Sequence, residues 1–181
     1  AACELTTTGD DMSFELDRKS CKLVNFNPRA ELHGEDREPA ADLKIELRCT
    51  NEVLAEFHPS LRSALYKAAD AGSDLADQGM DEPSLPSLKF PKMGSWKWDL
   101  EIVGCTLTIH YGTGGKSDIV LPDATADQFA FDLHDGGMID ITFRVRCHPD
   151  EKQAGKIYTL QQREIEVTLE PPSEDQERIA A

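Results

Sequence analysis

Residues Asp127–Cys147, DQFAFDLHDGGMIDITFRVRC, decide the fold class. Phe129, Phe131 and Leu133 alternate with polar residues. Beyond the interruption at His134–Gly137, so do Ile139, Ile141, Phe143, Val145 and Cys147. Successive strand side chains point to opposite faces, so this period of two means one buried face and one wet face. The Asp135-Gly136 step supplies the positive backbone φ that a tight hairpin turn needs. The segment therefore predicts an antiparallel β-hairpin with Asp132, Asp140, Arg144 and Arg146 on its outer, mixed-charge face.

Asp42–Cys49 carries the same signature, with Leu43, Ile45, Leu47 and Cys49 inward and Lys44, Glu46 and Arg48 outward. Both segments end in Arg-Cys, an echo that any half-buried strand can produce by chance. Phe14 and Leu16 open a short strand, and Cys21–Leu32 contains a second in which Pro28 marks an edge, a bulge or a strand end. His33–Ala40 reads as a polar connection longer than a two-residue turn. Trp96, Trp98, Leu100 and Ile102 alternate, the phase slips at Val103-Gly104, and Cys105, Leu107 and Ile109 continue. A slip at a glycine within a strand predicts a β-bulge. Ile119–Leu121 gives a short strand, and Ile157–Leu160 with Glu164–Leu169 the last strand or strand pair. Between the β-rich halves, Asn51 can cap a short helix that Pro59 ends or follows with another.

About eight strands and few helices predict an all-β fold: a mainly antiparallel β-sandwich or open barrel, with one or two short helices near 51–68. The organisation expected is a leader over 1–12, appended or disordered, with Met12 as the natural start. A single β-rich domain follows over 13–170 with a mobile acidic loop at 69–87, and a polar tail over 171–181.

The chain has 181 residues, 34 of them acidic and 19 basic, for a net charge of -15. Such a field repels nucleic-acid phosphates and argues against direct nucleic-acid binding, whereas it can favour a basic protein partner. The simpler reading is that it keeps the chain soluble. Asp70, Asp74, Asp77, Asp81 and Glu82 concentrate acid in the 69–87 loop and are the candidate partner-binding residues. No stretch has the apolar length of a membrane span, and no signal peptide is recognised, so the expected location is cytosolic. The five cysteines are far apart and none is in a CxxC pair, which suits reduced thiols better than disulfides or structural zinc.

His110-Tyr-Gly-Thr-Gly-Gly-Lys116-Ser117 ends like a phosphate-binding loop but has His110 where the first glycine belongs, and it runs into a strand-like segment rather than a helix. It reads as a glycine-rich strand connection. His58, His148, Cys49 and Cys147 could meet only if the two Arg-Cys strand ends were adjacent, and no pair has ligand spacing. No G-x-S-x-G occurs, and Glu35-Asp36 and Asp81-Glu82 lie in polar loops where nothing tunes a carboxylate for acid–base work. The sequence thus predicts no enzyme, no cofactor and no metal. Trp96 and Trp98 share one strand face, and Lys89, Lys92 and Lys97 make that segment locally basic. It is the one place where stacking on unpaired bases can be argued, against the plainer reading of two core tryptophans.

Asn25-Phe-Asn-Pro-Arg-Ala-Glu-Leu-His-Gly-Glu-Asp36, Phe57-His-Pro-Ser-Leu-Arg62 and Cys147-His-Pro-Asp-Glu151 resemble an uncharacterised family of small accessory proteins of tailed bacteriophages and prophages, over most of the chain from Met12. The resemblance implies an accessory role in the cytoplasm of a bacterial host. The function expected is non-enzymatic protein–protein binding. One version is an acidic, DNA-mimicking inhibitor of a host defence or nucleic-acid-handling complex. The alternatives are a single-stranded nucleic-acid-binding factor in phage replication or recombination, or a virion component. The sequence leaves the oligomeric state open.

Overall fold

A computed structural model describes residues 14–69 and 85–172. Among the described residues nine strands are present: β1 (Leu16–His33), β2 (Asp36–Thr50), β3 (Tyr66–Lys67), β4 (Ser87–Leu88), β5 (Trp96–Trp98), β6 (Ile102–His110), β7 (Ile119–His134), β8 (Met138–Cys147) and β9 (Glu164–Glu170). The helices are α1 (Leu54–Phe57), α2 (Leu61–Leu65) and α3 (Glu151–Thr159), with single 3₁₀ turns at Asn51–Val53 and Gly115–Ser117. The fold is all-β and antiparallel, as the alternation requires.

The sheet runs β7-β6-β9-β1-β2-β8 and closes on itself because β7 also pairs with β8. Closure depends on a bend in β7. Ile119–Ala126 pair with β6, while Thr125–His134 pair with β8, and the β8 register shifts between Asp127 and Ala130. Gln128, at φ 55°, is the irregular residue there. A bulge strengthens local twist, which is what brings a sheet edge round to its own far edge. β5 continues the line of β6 along the same edge of β7, Trp98 opposite Phe129 and Trp96 opposite Phe131. The slip expected at Val103-Gly104 is present as a register shift between Val103 and Cys105, with Gly104 at φ 77°.

The quoted hairpin is β7–β8, with Leu133 opposite Ile139 and Phe131 opposite Ile141. Its turn places Gly136 and Gly137 at φ 89° and 75°, which only glycine adopts without strain. The echoing segment is its neighbour in the barrel. Leu43 lies opposite Val145 and Ile45 opposite Phe143, so the two Arg-Cys ends stand at opposite ends of one antiparallel ladder, Cys49 by Ile139 and Cys147 by Ala41.

The interior is filled by side chains. Phe14, Phe57, Phe129, Phe131 and Phe143 are all fully buried and pack ring against ring, with centroids 4.8–5.8 Å apart. Phe57, on one-turn α1, plugs one mouth. There Asn51 is buried as a tie rather than a helix cap: its amide donates to the Leu85 carbonyl (2.8 Å) and accepts from Arg62 (3.0 Å). Ile157 of α3 is buried at the other end.

Three further expectations from the sequence differ from the structure. Ile157–Leu160 is not strand. Asp150 accepts from the Gln153 amide while the Gln153 side chain accepts from the Asp150 amide, and this reciprocal capping box starts a helix with Ala154, Ile157 and Leu160 on one face. The two strands expected over 14–32 are one, β1, bent by a register shift between Leu16 and Lys19 where Arg18 sits at φ 44°. The polar connection 33–40 is mostly strand, because the turn is only the two residues Gly34-Glu35, with His33 opposite Asp36. The loop 69–87 lies outside the described residues over 70–84, as do 1–13 and 173–181.

Candidate interaction surface

The early turn at Gly34 has a large consequence. β1 pairs with β9 only as far as Lys22, and its edge is then covered by the α3–β9 connection: Gln162 N donates to the Leu23 carbonyl, Gln162 Nε2 to that of Val24 and Gln161 Nε2 to that of Phe26. β2 meets β8 only from Ala41 onward. Beyond these points the two strands pair only with each other among the described residues. Residues 27–40 therefore form a two-stranded arm that leaves the barrel and extends for roughly 20 Å at strand rise.

Directly opposed residues share a face, so the register fixes what each side of the arm presents. One side carries Pro28, Ala30 and Leu32 opposite Ala41, Pro39 and Arg37. It is the direct continuation of the core stripe, since the preceding inward pair is Phe26–Leu43. Inside the barrel those positions are buried. On the arm Pro28, Ala30 and Pro39 are exposed, and Leu32 is 70% exposed, the most exposed large hydrophobic residue described. The other side carries Arg29 opposite Ala40, Glu31 opposite Glu38, and Asp36. The prolines are two residues from one another's partners, in outward-facing ladder positions where no N–H is needed for β1–β2 pairing, and they blunt both edges against further strands.

Ion pairs brace the base. Arg29 bonds Glu31, and its Nε donates to Asp42 at 3.1 Å, while His148 at the exit of β8 lies 3.1 Å from Glu31. These contacts hold the Glu31 carboxyl below its ordinary value, the His148 bond first among them. They anchor the root of the arm and leave Gly34–Pro39 exposed.

The outer wall of β2, β8 and β7 carries charges that neutralise one another. Asp127, only 9% exposed, takes both Arg144 nitrogens at 2.7 Å, and Arg146 Nε approaches it at 3.2 Å while Nη2 donates to Glu101 at 2.5 Å. Asp140 takes two bonds from Arg48 (2.7 and 2.9 Å) and one contact from His134 (2.9 Å). The Arg48 bonds chiefly hold its carboxyl below the usual range. Over this wall runs a polar groove of about 820 Å³ lined by Lys44, Lys97, Asp99, Gln128, Thr142 and Arg144.

Trp96 and Trp98 are half-buried and stand on the face shared with Phe129 and Phe131; Trp96 stacks on Phe131 with centroids 4.6 Å apart and 20° between planes. Lys97 faces the opposite side, so the strand separates the indoles from that ammonium. Lys89 is engaged, Nζ donating to the Ser63 carbonyl at 2.6 Å, and Lys92 is exposed in the preceding turn. The structure thus does not gather the five nucleic-acid candidates on one face. Asp70, Asp74, Asp77, Asp81 and Glu82 lie outside the described residues.

His110 joins Asp118 (Nδ1–Oδ2, 3.1 Å) to Thr168 (Nε2–Oγ1, 2.7 Å), and the Tyr111 amide donates to the other Asp118 oxygen. That amide is the main reason the Asp118 carboxyl is held low. The Thr168 hydroxyl oxygen also accepts from the Arg18 amide, at 3.2 Å. The cluster pins the glycine-rich β6–β7 connection and the β1 bend to β9. Among the described residues no three His, Cys, Asp or Glu side chains are grouped to hold a metal ion, and no helix is long and apolar enough to cross a membrane.

The arm escaped the sequence reading, although Phe26, Pro28, Ala30 and Leu32 continue one alternation. Two prolines and a charged run read more readily as a connection. Comparison with protein-family models, curated proteins and solved structures finds no match to this chain.

Proposed function

We propose that the protein is a non-enzymatic accessory protein that works by gripping another protein, and that the β1–β2 arm is its recognition element. The observation that carries this reading is the core stripe that runs past the mouth of the barrel and is left uncovered by the described residues on Pro28, Ala30, Leu32 and Pro39. An isolated two-stranded ribbon is marginal in water, and an exposed apolar face on it stabilises nothing in the monomer. Such a face is accounted for by a partner that buries it. The bacteriophage setting implied by the family resemblance, with the protein acting in the host cytoplasm, is compatible with this role. The acidic-inhibitor version would draw on Asp70–Glu82, because the acids of the described outer wall are largely spent on arginines.

The test compares the wild-type chain with Leu32→Ser in affinity capture from host cells. The variant should melt within about 2 °C of wild type, since a substitution at an exposed site away from the core costs within about 0.5 kcal/mol. It should lose the captured protein. Retention of every captured protein by the Leu32→Ser chain refutes the proposal.

A further inference from the structure

We infer that the groove on the outer wall binds a small organic molecule carrying two phosphate groups. This surface is separate from the apolar face of the arm, and the inference does not rest on the arm's role.

The groove has its cause in the register. Lys97 of β5 lies opposite Ala130 of β7, Ala130 opposite Thr142 of β8, and Thr142 opposite Glu46 of β2. Opposed residues share a face, so Ala130 and Thr142 form a low floor between longer side chains. The β7 bulge shapes one side of it. Gln128 has no partner in the β5, β6 or β8 ladders, is exposed, and sits at φ 55°. A bulge re-aims a side chain, and strained non-glycine backbone of this kind clusters at ligand sites.

The lining is rich in uncommitted donors. Among the described residues the side chains of Lys44, Lys97, Gln128 and Thr142 take no ion pair or hydrogen bond. Lys44 lies opposite another cation, Arg144, whose Nε and Nη2 are given to Asp127. Of the acids along the groove, Asp127 is held by Arg144 and Glu101 by Arg146, which leaves Asp99 exposed and unmatched among the described residues. In a chain of net charge -15, two unpaired lysines facing one cavity draw an anion to that spot.

Dimensions and charge select the ligand. Lys97 and Lys44 stand on β5 and β2, three ladder steps apart through β7 and β8, which is about 14 Å at strand spacing. The groove holds about 820 Å³, within the roughly 300–1,000 Å³ of small-molecule sites. A single small ion would leave most of that volume empty. A molecule with an anionic group at each end meets both lysines and fills it, with Thr142, Gln128 and Asp99 available to hydroxyls between. Phosphate suits the lysines, which act as point charges, whereas the planar fork of Arg144 that would grip a carboxylate is already occupied by Asp127. A nucleic-acid strand is disfavoured, since two lysines in so acidic a chain make no basic stripe.

The test is calorimetric titration of the full-length chain in about 50 mM NaCl. The probes are fructose bisphosphate, phosphorylated at both ends, fructose monophosphate and citrate. The bisphosphate should bind with Kd at or below about 1 mM, at least about tenfold tighter than the other two. Lys44→Gln and Lys97→Gln should each weaken it at least about fivefold. Ala130→Leu, which fills the floor without changing charge, should abolish binding. Should that variant melt early, Thr142→Gln blocks the same floor from β8. Lys152→Gln, exposed on α3, should change nothing, and neither should Leu32→Ser, so the groove and the arm stand or fall separately. No bisphosphate binding up to about 5 mM overturns the inference. So does citrate or monophosphate binding as tightly, an affinity indifferent to blocking the floor, or an equal loss in Lys152→Gln.

Discussion

Truncating Phe57 to alanine tests whether the one-turn helix α1 belongs to the barrel core. The ring is fully buried and lies 5.2 Å from Phe14, 5.6 Å from Phe129 and 4.8 Å from Phe131, the last two edge-on. Removing a buried phenylalanine costs about 3–5 kcal/mol, the spread reflecting how far the surroundings relax into the cavity. α1 is only four residues long and can settle inward, which places Phe57→Ala near the lower end, about 3 kcal/mol. Phe129 is held in the barrel wall between β5 and β8, where collapse is hindered, so Phe129→Ala should cost more, about 4–5 kcal/mol. In a domain of this size about 3 kcal/mol lowers Tm by roughly 6–12 °C. Urea denaturation followed by tryptophan fluorescence and by circular dichroism should show both midpoints moving left with coincident transitions. A double-mutant cycle between Phe57→Ala and Phe131→Ala should return a coupling of about 0.5–1.5 kcal/mol for the edge-on pair. If Phe57→Ala costs under about 1 kcal/mol while Phe129→Ala keeps its full effect, the cap is an appendage rather than a plug. The account of how the barrel mouth is sealed would then be wrong.

Gly137→Ala should destabilise by about 1–2 kcal/mol in the same assay, because φ is 75° and the new methyl would stand 3.4 Å from the Asn51 amide nitrogen that tethers Leu85. Asp127→Ala should cost about 1–3 kcal/mol by urea denaturation, since it strips two short charge-assisted bonds from Arg144, softened by the solvent that reaches the guanidinium. Burial pushes the Cys21 and Cys147 thiols up to about 12 from an ordinary 9.0. A value raised on folding gives stability that is complete below pH 9 and lost as pH rises through about 12, so the urea midpoint should fall along that limb and Cys147→Ala should flatten it. On the acid side the depressed Asp140 carboxyl gives stability that is present above the ordinary 3.8 and fades as pH falls through its lower folded value; Asp140→Asn should make the acid limb shallower.

The alternation over Asp127–Cys147 and Asp42–Cys49 contained the strands, their inward residues and the turn at Gly136, because burial on one face of a strand leaves a period of two in the sequence itself. The glycine bulge at Gly104 was legible for the same reason: a phase slip is local. The α3 helix is also written locally, in the capping pair Asp150 and Gln153, but the four residues Ile157–Leu160 imitate a short strand. Closure was not legible. It depends on β7 giving its first half to β6 and its second to β8, a pairing across distant parts of the chain that no local pattern encodes. The arm lies between these cases. Its alternation, Phe26, Pro28, Ala30, Leu32 on one strand and Arg37, Pro39, Ala41, Leu43 on the other, is present in the sequence. Whether such a stripe is core or surface is a property of what packs over it. Only the tertiary structure could decide that Phe26 and Leu43 lie inside the barrel while Leu32, six residues further along the same face, stands in water.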